Sequence, residues 1–159
     1  MRRQPGAGSR EPVTEALQAY ADRGVFRGFR ATPAARGRVA YEFKWLTKKP
    51  LQAVFDTRTN TLTFPQLLPA IPKPAAADAV AVLADRSRRD VPAHKRIDAR
   101  RVRITGRTRN NAYSLAGVVR GNNHAYAITM ALNVVNEIFV TLQEHHPEYL
   151  IEHFGLSAE

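Results

Sequence analysis

The chain has 159 residues, 44% of them hydrophobic and 24% charged, with a formal net charge of +10 and no cysteine. That size and composition fit one globular domain with a full core. The missing thiols exclude disulfides, thiolate zinc sites and cysteine nucleophiles together, and accord with a reducing compartment.

The charge is unevenly placed. Residues 1–120 carry all 24 Lys and Arg against 9 acidic residues, whereas residues 121–159 carry 5 Glu and no Lys or Arg. Such a split predicts two surfaces of opposite sign that attract different partners. A basic balance suggests a polyanion, either nucleic acid or an acidic membrane surface. It also arises from an Arg- and Ala-rich composition alone. The N-terminus, Met1 to Arg10, has positive charge with no apolar segment behind it, which argues against a secretory signal. No run approaches the ~18 consecutive apolar residues of a membrane span. The expectation is a cytoplasmic protein, with no membrane partner, formed of a flexible basic tail at 1–10 and a single domain over 11–159.

Glu11 to Asp22 reads as a first helix, with Pro12 in its first turn and Val13, Leu17 and Tyr20 on one face. Residues 25–30 read as a short strand, followed by a loop from Thr32 to Gly37 that contains Pro33. Arg38 to Leu46 alternates cleanly: Val39, Tyr41, Phe43 and Trp45 point one way, and Arg38, Ala40, Glu42 and Lys44 the other. This is the pattern of a half-buried antiparallel strand. Leu51, Ala53 and Phe55 alternate in the next strand. A turn at Asp56–Asn60 leads to Leu62 and Phe64.

Pro65, Pro69, Pro72 and Pro74 then read as an ordered apolar loop in which Leu67, Leu68 and Ile71 seek burial. Ala75 to about Arg88 reads as a helix with Val80, Leu83 and Ala84 inward. Asp90 to Ala99 reads as a loop. Arg100 to Gly106 and Ala112 to Val119 read as strands around a turn at Arg109-Asn110-Asn111. In the second of these, Tyr113, Leu115 and Val119 face inward. Gly121-Asn122-Asn123 precedes the longest helix, His124 to about His145, and the Asn side chains are expected to cap it. Ile128, Ala131, Leu132, Val135, Ile138, Phe139 and Leu142 give that helix a wide apolar face, which belongs against a sheet. Pro147 breaks it, and a short final turn from Glu148 to Phe154 ends at Gly155.

The order is α-β-β-β(-β)-α-β-β-α. Strands joined by hairpins make the sheet antiparallel, so the expected fold class is α+β: five or six strands, meander plus hairpin, with helices packed on one face. This order resembles that of type III secretion chaperones, and the resemblance rests on the sequence of elements over most of the chain. It implies helices packed on a twisted antiparallel sheet and a homodimer. Those chaperones are typically acidic, and this chain departs from them in charge.

Candidate chemistry is sparse. Glu144, His145, His146, Glu148, Glu152 and His153 form the densest group of metal-ligand types, but Pro147 divides them between two elements and no zinc-site spacing occurs. No metal and no cofactor are expected. His94, Asp98 and His124 are the acid–base candidates, and nothing in the sequence sets a nucleophile beside them; Ser114 lacks the G-x-S-x-G context. Residues 86–109 hold the densest cluster of cations. Arg88, Arg89, Arg101, Arg103, Arg107 and Arg109 are the candidate nucleic-acid contacts, with Arg101 and Arg103 expected on one strand face. The strand aromatics that would stack on bases fall in the buried phase instead. The leading reading is a non-enzymatic protein-binding module whose partner is another protein or a second copy. A basic nucleic-acid-binding protein is the alternative, and an unrecognised enzyme the second.

Overall fold

The computed structural model describes residues 11–155, so the tail expected at 1–10 lies outside the described residues. The elements run α1 (Pro12–Asp22), β1 (Arg27–Ala34), β2 (Arg38–Lys44), β3 (Leu51–Asp56), β4 (Thr61–Leu68), α2 (Lys73–Asp85), β5 (Val102–Arg109), β6 (Ala112–Val119), α3 (His124–His145) and α4 (Pro147–Phe154). The fold is α+β, in the order the sequence predicted. All six strands join one antiparallel sheet, ordered β1-β2-β3-β4-β6-β5.

Period-two alternation decides which side of the sheet is core. Tyr41, Phe43, Ala53, Phe55, Leu62, Phe64, Tyr113 and Leu115 are buried and share one cluster with the apolar faces of the helices. Val39 and Trp45, at the two ends of the β2 pattern, are only half-buried. All seven apolar positions expected on the long helix are buried, and Val134 and Met130 join them. By length and composition α3 could cross a membrane, but more than half of that stretch is already buried within the fold.

The first helix is anchored chemically as well as by packing. The Glu11 carboxylate caps it by accepting from the N–H groups of Val13 and Thr14, and it also accepts from the Tyr41 hydroxyl at 2.8 Å. Burial pushes the Tyr41 phenol far above the ordinary tyrosine range.

Five expectations need correction. The loop placed at Thr32–Gly37 begins later, because β1 continues through Pro33 to Ala34. Pro33 lacks an N–H, and β1 is an edge strand, where one side of the backbone needs no partner. The loop placed after Phe64 is strand to Leu68. Pro65 is accommodated at a bulge, where the register shifts and Gln66 takes a positive φ of 50°. The second helix turns a different face inward: Val80 is 55% exposed, while Ala75, Ala79 and Val82 are buried. Small alanines let α2 lie close to α3, which places the larger Val80 outside. Asn123 does not cap α3 with its side chain; its Nδ2 donates to the Arg120 carbonyl instead. The short final turn expected from Glu148 is a helix, α4, in which Tyr149 and Leu150 are buried and Ile151 is exposed.

Phe139 is 3% exposed and meets Phe154 edge-on at 5.3 Å. Phe139→Ala is expected to destabilise the fold by about 3–5 kcal/mol in urea unfolding, as for a buried aromatic in a core that cannot collapse. A loss below ~1 kcal/mol would show that α3 does not carry the core.

Candidate interaction surface

With the helices on one side, the alternate residues of every strand face outward. Across the sheet one outward row reads Thr32, Ala40, Val54, Thr63, Ala116 and Thr105, from β1 to β5. These small side chains make a flat face. Its charged residues lie around this row. Arg30 pairs with Glu42 and Arg38 with Asp56 at the β1–β3 end. At the other end Arg103, Arg107 and Arg109 stand along β5, in register with Val118, Ser114 and Ala112 of β6.

The β5–β6 hairpin that carries this row is set by local sequence. Asn110 and Asn111 both take positive φ, 53° and 63°, as a two-residue turn of this twist requires. Eight consecutive residue pairs follow without a bulge. At Gly106 a Cβ would lie 2.0 Å from the Tyr113 hydroxyl, so any side chain there would displace that buried ring. The Tyr113 ring lies across the inner side of β5, 1% exposed, and its hydroxyl has no hydrogen-bond partner among the described residues. Burial pushes its phenol up to about 12.

β5 is also an edge. The Arg120 N–H donates to the Arg101 carbonyl at 3.0 Å, which fixes the phase of the ladder. Residues 103, 105, 107 and 109 therefore bond to β6, and the main-chain groups of Ile104, Gly106 and Thr108 point away from the sheet. Among the described residues nothing bonds to those three. The opposite edge is blunted by Pro33 and by a register shift between Arg27 and Arg30.

The structure divides the six candidate arginines. Arg103, Arg107 and Arg109 come together, with no carboxylate partner among the described residues. Arg101 does not share their face. It precedes β5, its guanidinium stacks 3.9 Å from the centre of the Tyr126 ring, and its Nε–H donates to Asn123. The cation–π contact and the nearby start of α3 draw it to the helix layer. Arg88 is held by Asp85 at 2.9 Å and Asp90 at 2.8 Å, and Arg89 sits in the turn after α2. Arg86 crosses to Glu137 of α3 at 3.1 Å, so the basic and acidic segments touch there instead of lying apart.

The acid–base candidates stay separate. His94 lies in an exposed loop. Asp98 is bonded by Arg100, which holds its carboxyl below the ordinary range. His124 bonds Asn60 at 2.8 Å and braces the β3–β4 turn against α3. The Ser114 hydroxyl accepts the Gln66 N–H at the β4 bulge. Among the described residues no three potential metal ligands converge. What the sequence reading missed is Asp78: both His145 and His146 bond to it, at 3.3 and 2.9 Å, fastening the end of α3 to α2. Its position 67 and 68 residues upstream leaves no local signal.

Two variants probe this framework. Tyr113→Phe removes a buried hydroxyl with no partner, so stability at neutral pH should hold or rise by up to about 1 kcal/mol. A phenol raised by burial stabilises the fold below the ordinary tyrosine range and loses that contribution as pH climbs through about 12. Alkaline unfolding of the variant should therefore begin at higher pH. Asp78→Asn should lower the melting temperature at pH 6 and lower it by less at pH 3. The hydrogen bond from His146, then that from His145, holds the Asp78 carboxyl below the ordinary range. Its contribution is full above that range and shrinks as pH falls below it, towards the depressed value of the folded state. An equal deficit at both pH values would remove the ion pair from the account.

No protein-family model, curated protein or solved structure matches this chain, so the chemistry of this surface is read from its own residues.

Proposed function

We propose that the protein is a non-catalytic binding module that takes an extended, acidic segment of a partner protein as an added strand along β5. The observation that carries this reading is the coincidence, on one regular edge, of three outward main-chain positions and three arginines with no carboxylate partner among the described residues. An incoming strand would satisfy the backbone of Ile104, Gly106 and Thr108, and carboxylates opposite Arg103, Arg107 and Arg109 would select it. A second copy is the poorer occupant of this edge. Two β5 strands pairing about a two-fold axis set like charges opposite each other, with Arg103 facing Arg107 or each facing its own copy. The flat Thr/Ala/Val face has no aromatic platform for bases, which weighs against single-stranded nucleic acid. The order of elements, which resembles that of type III secretion chaperones, supports a binding role over a catalytic one.

The test is a fluorescence-anisotropy titration with a labelled eight-residue peptide carrying Asp or Glu at alternate positions. Arg103→Glu with Arg107→Glu should weaken binding at least about tenfold and turn the preference towards a Lys-bearing peptide. N-methylation of the peptide backbone on the side facing β5 should abolish binding. Retained affinity after methylation would defeat strand addition. Tighter binding of a single-stranded oligonucleotide at physiological salt, lost in the same double variant, would replace this reading with the nucleic-acid one.

A further inference from the structure

At the far end of the sheet from β5, a cleft of about 650 Å³ opens between the exit of α1 and the end of β2. Arg27, Lys44, Trp45 and Lys48 line it, with Gly24 and Val25 on the far wall. We propose that this cleft binds a nucleoside phosphate, with the phosphates held by the three cations and the base against the Trp45 indole. The site is separate from β5 and does not depend on the function proposed for that edge.

Arg27 and Lys44 stand directly opposite each other across β1 and β2. Like charges in that position destabilise a sheet. The same strands pair opposite charges elsewhere: Arg30 faces Glu42, and Arg38 faces Asp56. Only here does cation meet cation among the charged pairs of β1, β2 and β3. No acidic residue lines the cleft, and none of Arg27, Lys44 and Lys48 has a carboxylate partner among the described residues. An external anion of more than one charge is the missing complement.

Trp45 is half-buried, its ring edge-on to Phe26 at 5.7 Å. Its N–H has no acceptor among the described residues and is not sealed from solvent. Trp45 borders the cleft from the core side of β2 and the Arg27–Lys44 pair from the other, so a ligand lying over the strand end would present a planar, hydrogen-bonding ring to one and its phosphates to the other. The volume lies within the range of small-molecule clefts.

The turn presenting these groups is held under strain. Leu46 takes a positive φ of 70°, which a branched side chain disfavours. The Thr47 N–H donates to the Trp45 carbonyl at 2.8 Å, and its hydroxyl donates to the Lys49 carbonyl at 2.6 Å while only 8% exposed. The Lys48 stem passes close to Gly155 at the end of α4, which fixes the other side of the turn.

Trp45 is the only tryptophan, so tryptophan emission, excited selectively at the red edge away from the five tyrosines, reports this cleft. Titration with ADP should give saturable quenching, with dissociation at or below about 1 mM. Adenosine and pyrophosphate should each bind at least about tenfold more weakly, since each offers half of the ligand. Lys44→Glu should cut ADP affinity by a similar factor while raising the melting temperature, because it turns the like-charge pair with Arg27 into a complementary one. A variant that binds less but melts higher has not failed to fold. Four results would overturn the proposal: no saturable quenching by ADP, adenosine equal to ADP, pyrophosphate equal to ADP, or quenching only by vesicles of anionic lipid.

Discussion

The fold depends on one burial event: the apolar face of α3 lying on the inner side of the sheet. Val134, Val135, Ile138 and Leu142 are fully buried there, against strands that contribute Phe43, Phe55, Phe64 and Leu115. Because the helices all take that side, the sheet has one dry face and one wet face. The charged residues of β2 and β5 lie in the phase of the wet face. The basic and acidic segments of the chain meet where Arg86 reaches Glu137.

The alternation of β2, β3 and β6 and the wide stripe of α3 were legible because each follows from a period that burial enforces. The turn at Asn110-Asn111 was legible because both residues tolerate positive φ. The prolines misled for one reason: proline forbids a central ladder position, but Pro33 sits at an edge and Pro65 at a bulge, and neither context is visible before the sheet order is known. The inward face of α2 was misread because hydrophobic size was weighed above fit; close contact with α3 favours Ala75 and Ala79 over Val80. Arg101 was assigned to the β5 face by counting alternation back past the start of the strand. Tyr126, 25 residues later, takes it instead. The candidate surface was therefore half visible. The cations could be counted, but which of them had internal partners depended on contacts between distant segments.

The two edges of the sheet are treated differently, and the difference gives the wet face its meaning. On β1, proline, a register shift and complementary pairing with β2 blunt the strand along most of its length. On β5 the ladder is regular, and its positive charges discourage a like-charged strand without obstructing an acidic one. Like-charge neighbours with no carboxylate partner among the described residues occur at opposite ends of the sheet, around Arg27 and along β5. Both are places where the fold tolerates repulsion that the rest of the sheet avoids.

The junction of β4 with β6 has a consequence for synthesis. Thr61 pairs with Val118 and Phe64 with Leu115, so β4 has no neighbour on that side until the C-terminal hairpin has been made. A nascent chain that has completed the β1–β4 meander carries a bare strand edge next to Leu62 and Phe64. Pro65 and the left-handed Gln66 interrupt that edge midway, leaving only a short stretch on which a neighbouring nascent chain could dock. The kink that looks like a flaw in the finished sheet is thus a guard for the unfinished one, and its service ends when Ser114 arrives to accept the Gln66 N–H.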